Sequence, residues 1–335
     1  MRETLLQYLV CPACQTAFHL EVAQQDEDHI MEGMLHCRGC KAAYRITEGI
    51  PRLLNQSHVD PKNKETAERF GQQWDAFDFI DVERYQMQFL DWIAPISREF
   101  FQHKLILDAG CGKGRHCIAA SRFQAQEVIG IDLAEGSVRA AFRNTRNIPN
   151  IHIIQTDIYA LPFRENLFDY IYSIGVLHHT PEPKQAFTCL VKKLKPGGTV
   201  SAWVYSKEGN GWVITLVNPL RKYVTSKFPL PIVKSIAFIL TIGLQCALKC
   251  VYAPLNAYQI FHPCSRYLPY NEYLYYISKF PFHELYCIVF DHLLPEIALY
   301  IEKEEFSSWF DECHLHDICI TSRTNNSWRG KGEKS

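Results

Sequence analysis

The stretch from Leu105 to Gly114, LILDAGCGKG, most constrains what this chain can become. A short apolar run meets an acid and then three glycines at alternating positions, Gly110, Gly112 and Gly114. It reads as a buried parallel strand turning into a helix, its backbone left bare beside a ligand that any Cβ would push away. Such a loop suits a nucleotide-containing cofactor. The dinucleotide fingerprint is GxGxxG, whereas the order here is GxGxG with Arg115 next. The loop alone leaves a dehydrogenase open, so the rest of the chain has to decide.

Helical and strand patterns alternate after the loop: helix from His116 to Phe123, strand from Glu127 to Ile131, helix from Ala134 to Thr145, strand from Ile151 to Gln155. Near-continuous apolar strands between helices predict an α/β fold, a doubly wound parallel sheet with ligands at the carboxyl ends of its strands. The second strand ends in Gly130-Ile131-Asp132, where an acid can accept hydrogen bonds from both hydroxyls of a ribose. Capping the next helix is the plainer role for Asp132. The third strand ends in Asp157-Ile158, followed by Leu161-Pro162-Phe163. The fourth element runs FDYIYSIGVLHH from Phe168 through Ser173 to His179, and LKPGGTV from Leu194 to Val200 leads into a fifth strand.

In this order these segments resemble the class I S-adenosylmethionine (SAM)-dependent methyltransferases, in the small-molecule branch that includes quinone-biosynthesis enzymes. The resemblance covers roughly Leu105 to Tyr205. It implies a Rossmann-like fold of that type with SAM as cofactor, and it removes the dehydrogenase reading, which has no use for an acid at Asp157. It further implies that Asp108 faces the methionine end, that Gly110, Cys111, Gly112 and Gly114 cradle the cofactor, and that Asp132 and Leu133 sit at the ribose. Asp157 would hold the adenine amine, Ile158 would pack on its ring, and the segment with Ser173 would run beneath the methionine moiety. His178 and His179 are the catalytic candidates, since an imidazole can take a proton near neutrality; in the same pattern histidines also merely brace the loop. His292 is a reserve candidate. A base is needed only for an acceptor that must lose a proton. The Asn-Pro-Pro-Tyr-type motif of enzymes that methylate nucleic acid bases or glutamine is missing from this position.

Two CxxC knuckles, Cys11-Pro12-Ala13-Cys14 and Cys37-Arg38-Gly39-Cys40, stand 22 residues apart. Two thiolates from each complete a closed tetrahedral zinc site, which would be structural. A redox dithiol or coincidence is the alternative. About 50 residues bury too little to fold alone, so the metal would supply stability. With the following KAAYRITEGIPRLL, this segment resembles the bacterial zinc-ribbon family related to the small activator subunit of tRNA and protein methyltransferases. The resemblance implies a ribbon that stabilises or activates a methyltransferase.

The expected organisation is a zinc ribbon over 1–54, a polar linker over 55–68, lead-in helices over 69–104 and a methyltransferase domain over 105–325. Within that domain a substrate-side insertion covers about 206–290, and residues 326–335 form a flexible tail. The aromatic lead-in suits a lid over the cofactor or plain packing on the sheet edge. In the insertion, the apolar run Ser235 to Leu248 falls short of the roughly 20 residues that span a bilayer. Lys222, Lys227, Lys234 and Lys249 flank it, as in a helix lying on a membrane, while a buried helix walling the pocket is the preferred reading.

A net charge of −1 without a basic stripe gives no footprint for nucleic acid, and the N-terminus has no signal-peptide pattern. The expectation is therefore a cytoplasmic enzyme, peripheral at most to the inner membrane face, acting on a small-molecule or lipid-linked acceptor. A tRNA or protein methyltransferase with a built-in activator, and a module that binds SAM without turnover, are the alternatives.

Overall fold

Alternating apolar residues build an antiparallel ribbon at the N-terminus from β1 (Phe18–Asp26), β2 (His29–Cys37), β3 (Ala43–Thr47) and β4 (Ile50–Leu53). In this computed structural model the described residues are 1–54, 61–77, 79–295 and 297–335. Helices α1 (Pro61–Ala76) and α2 (Val82–Trp92) lead into β5 (Leu105–Ala109), α3 (Arg115–Arg122), β6 (Glu127–Asp132), α4 (Glu135–Thr145), β7 (Ile151–Thr156), β8 (Phe168–Ile174), α5 (Pro183–Val191) and β9 (Leu194–Tyr205). The insertion is helical, and α6 (Leu230–Ala247) and α7 (Phe282–Leu293) are its longest helices among the described residues. Helix α8 (Lys303–Glu312) and the hairpin β10 (Leu315–Arg323) and β11 (Ser327–Lys334) complete the chain.

All strands join one sheet in the order β1-β2-β3-β4-β7-β6-β5-β8-β9-β11-β10. Strands β7, β6, β5, β8 and β9 are parallel and read as nearly unbroken buried runs, as a sheet covered on both faces requires. The order reverses direction beside β5, which opens a crevice at the carboxyl ends of β5 and β8. This is the expected Rossmann-like doubly wound arrangement.

Three boundaries differ from expectation. The ribbon is not set apart by a linker: β4 pairs in parallel with β7, Val10 N donates to Pro162 O at 2.9 Å, and Leu5, Leu9 and Leu53 share one apolar core with Phe163 and Phe168. The predicted linker 55–68 begins with six residues outside the described ones, and from Pro61 it is helix. Proline suits a first helical turn, and the buried position in the opening turns of α1 is the polar Thr66, so the apolar period shows only from Phe70 and Trp74 onward.

The tail expected to be flexible from residue 326 is strand β11, held between β9 and β10. Its buried face is Trp328, Gly330 and Gly332. A Cβ on Gly330 would stand 2.7 Å from the Phe310 ring and 2.8 Å from that of Phe306, so the bare backbone is what lets α8 pack there.

Among the described residues the only candidate metal groups are the four N-terminal cysteines and an exposed trio of His316, Asp317 and Glu333.

Candidate cofactor and acceptor site

The β5–α3 loop turns at the crevice with Gly110 at φ +91°, Gly112 at +53° and Gly114 at +83°, all in the left-handed region that favours glycine. A Cβ on Gly110 would stand 2.2 Å from Val176 Cγ2, and one on Gly112 would stand 3.2 Å from Trp74 Nε1. Asp132, at the end of β6, ties down both sides of the loop's neighbourhood. Its Oδ2 accepts from Gly112 N at 3.0 Å and its Oδ1 from Ala134 N at 2.9 Å. Ala134, not Asp132, is the N-cap of α4, so the acid braces the loop against the end of β6 while standing in the cavity wall.

A cavity of about 570 Å³ begins at this loop. Gly110, Cys111, Gly112, Asp132, Leu133, Asp157 and Ile158 line one end of it. Asp157 Oδ1 accepts from Tyr159 N at 3.0 Å, which fixes the carboxylate at the end of β7. Burial raises the carboxyls of Asp132 and Asp157 above the usual range. The donor set fits SAM: bare backbone at the loop, an acid for the ribose, an acid with an apolar neighbour for the adenine.

Gly114 caps α3 behind the loop. Ser173 and Asp108 are not on the cavity wall. Ser173 Oγ donates to Ala109 O at 2.9 Å and so staples β8 to β5 under the loop. Asp108 is fully buried, accepts from the Cys117 thiol at 3.2 Å through Oδ2, and leaves Oδ1 without a partner. The expectation that it faces the methionine end is corrected: strand alternation turns its side chain to α3. Burial pushes its carboxyl up to about 7, which suits a neutral acid.

The two histidines part company. They lie in a short turn, Leu177–His179, after β8. His178 is wholly buried against Tyr205, with ring centroids 4.1 Å apart, and neither of its ring nitrogens has a partner. His179 reaches the cavity wall. Its Nδ1 donates to Ile297 O at 2.7 Å, which leaves Nε2 as the free lone pair. Burial drives the His178 pKa well below the ordinary imidazole value and takes His179 down to about 3 and His292 down to about 4. All three are neutral near pH 7 and are weak proton acceptors there.

Residues that the sequence reading did not select complete the site. Lys113, within the glycine loop, donates from Nζ to Phe77 O at 2.8 Å and Phe79 O at 2.7 Å. This draws the α1–α2 segment across the loop and sets Trp74 and Tyr85 in the cavity wall. Tyr85 Oη donates to both oxygens of Glu284, at 2.9 and 2.8 Å. Glu284 and Asp291 stand seven residues apart on α7 and both face the cavity, a helical spacing that was readable. Desolvation brings the Asp291 carboxyl up to about 6, with Gln73 beside it. Beyond them the wall is aromatic and aliphatic, built by Trp203, Tyr205, Trp212, Tyr273, Leu240 and Leu244.

The four ribbon thiols lie within 4.8 Å of one another; Cys11 and Cys40 Sγ are 3.7 Å apart, Cys14 and Cys37 Sγ 3.3 Å. A zinc with four bonds of about 2.3 Å needs sulfur edges of roughly 3.8 Å. The cluster fits a closed structural zinc site.

Residues 107–202 match the family model of a methyltransferase domain, and residues 2–49 that of Trm112p-like protein. Over 95 residues the chain is 38% identical to a demethylmenaquinone methyltransferase of Staphylococcus carnosus, a stretch covering 28% of this chain and 39% of that one. Over 114 residues it is 32% identical to a tRNA U34 carboxymethyltransferase of Cellvibrio japonicus, covering 32% of this chain and 35% of the other. The chain thus spans well under half the length of these curated relatives. A solved complex of the Haloferax volcanii Trm112 methyltransferase activator with a methyltransferase is similar at 14% identity and a TM-score of 0.45, covering 79% of this chain and 97% of that chain. By its two domain models and its sheet, the chain joins a Trm112p-like domain to a methyltransferase domain of the class I SAM-dependent type.

Proposed function

We propose that the protein transfers the methyl group of SAM to an apolar acceptor, small or lipid-linked, held in the same cavity. The observation that carries this reading is the continuity of one cavity from the glycine loop, Asp132 and Asp157 to the aromatic walls supplied by the insertion. Bound SAM supplies a methyl group on a sulfonium sulfur, so the protein has mainly to align two reactants and keep water out. Gly110 to Gly112 and Asp132 hold the nucleoside, Asp157 and Ile158 select the adenine, and Trp74 roofs the loop. The aromatic and aliphatic walls would orient an acceptor, with Glu284 and Asp291 the acids that face it.

Where the acceptor must lose a proton, Asp291 is the better placed group. It faces the cavity, and its carboxyl is raised to about 6, near the working range of a general base. His179 and His292 also face the cavity but hold protons too weakly to take one at neutral pH.

The test is the fate of labelled methyl. Protein incubated with methyl-labelled SAM and separate lipid, RNA and protein fractions is expected to place label in the organic-extractable fraction. Label confined to RNA or to protein would overturn the apolar acceptor, and no transfer to any fraction would favour a module that binds SAM without turnover.

A further inference from the structure

Most of the exposed apolar surface of this protein is gathered in one place. Of the twenty large hydrophobic side chains exposed among the described residues, sixteen lie between Trp212 and Tyr267, in the helical insertion. Such concentration is not the scattered exposure normal for a folded surface. Helix α6 shows why. Val233, Ala237 and Thr241 form its buried stripe, against Phe290, Leu293 and Leu294. Its outward face is just as apolar, with Ile239 at 68% and Ile242 at 46% exposure.

Charge in the same segment is one-sided. Residues 209–271 hold six lysines and arginines and no aspartate or glutamate, although the whole chain carries 36 acidic residues against 35 basic ones. Arg221 is buried, while Lys222, Lys227, Lys249 and Arg266 are exposed. The helical run Leu230–Ala257 is long and apolar enough to cross a membrane by length and composition alone. Its inner face, however, closes a core with α7, and Leu240 and Leu244 wall the cavity, so a spanning orientation would strip both. An apolar face rimmed by cations is instead the pattern of a helix lying in the plane of an interface.

We propose that this face of the insertion docks flat on an anionic phospholipid bilayer. Leu240 and Trp212 are each about half exposed and also line the cavity, so the cavity meets the outside within this face. An apolar acceptor then passes from the bilayer into the cavity without crossing water. The docking surface stands independently of methyl transfer; only the nature of what enters the cavity rests on that reading.

The test is co-sedimentation of the full chain with vesicles of phosphatidylcholine alone or mixed with phosphatidylglycerol. Binding to the mixed vesicles is expected, weakened by salt and by Lys227→Glu with Arg266→Glu, and reduced at least tenfold by Ile239→Asp with Ile242→Asp. Both pairs are surface changes, and SAM titration without vesicles confirms that each variant is folded. Wild-type protein left in the supernatant, or unchanged binding in the aspartate variant, would overturn the proposal. So would a vesicle-independent dimer that the same substitutions dissociate, or RNA that binds this face and displaces vesicles. Vesicle binding without any methyl transfer would keep the docking surface and count against the proposed activity alone.

Discussion

Leu53 and Thr156 pair in parallel register, and Thr156 Oγ1 donates to the Leu53 carbonyl at 3.2 Å. Leu53 ends the last ribbon strand; Thr156 ends β7 and is followed directly by Asp157 in the cavity wall. The zinc ribbon therefore holds the strand end from which Asp157, the acid proposed for the adenine, projects.

Removing the metal should consequently be felt at the cofactor. Metal analysis is expected to give about one zinc per chain for the wild type and a loss of that zinc in Cys37→Ser. The variant should also bind SAM several-fold more weakly, because β4 loses the fold that presents it to β7. Zinc loss with unchanged SAM affinity would separate the ribbon from the site.

Gly330→Val tests the closing strand. The added side chain meets Phe310 and Phe306, and overpacking of this kind costs about 1–3 kcal/mol. A fall in the thermal midpoint of a few degrees is expected; an unchanged midpoint would mean that residues 327–334 add nothing to the core.

These elements show what could be read from the chain. The glycine loop and the acids at Asp132 and Asp157 were legible because a bare backbone and a carboxylate at a strand end are local requirements. The ribbon's union with the sheet was not, since the pairing of Leu53 with Thr156 spans a hundred residues and leaves no periodic trace. Strand β11 was hidden by Gly330 and Gly332, which occupy core positions and look like loop. Helix α6 extends beyond the apolar run from Ser235 because Pro231 suits its first turn and Lys234 sits among helical residues. Distinguishing His178 from His179 needed the turn that aims only the second at the cavity.

Asp108 gives stability a pH dependence of defined sign. Its carboxyl is raised by burial from 3.8 to about 7, so between these values the folded chain keeps a proton that the unfolded chain releases. The contribution is fully present below pH about 4 and fades as pH rises through 7, at a limiting slope on the order of 1 kcal/mol per pH unit. Denaturant melts of Asp108→Asn, which keeps an acceptor for Cys117, should show a flatter profile across that window. Asp291, Asp132 and Asp157 are raised as well, so some slope remains.

Asp291 gives the rate its own signature for an acceptor that loses a proton. The rate constant kcat should rise with pH through about 6, and Asp291→Asn should remove that limb while leaving SAM affinity intact. His179→Gln should keep the limb, because its imidazole, held down to about 3, is already neutral there. A limb lost with His179 and kept without Asp291 would reverse the assignment.

The most direct measurement is isothermal titration of the full chain with SAM. One saturable site per chain is predicted, weakened at least tenfold by Asp132→Ala, which frees Gly112 N and removes the acid proposed for the ribose. Absence of binding, or equal affinity in the wild type and Asp132→Ala, would contradict a SAM site at the crevice beside β5.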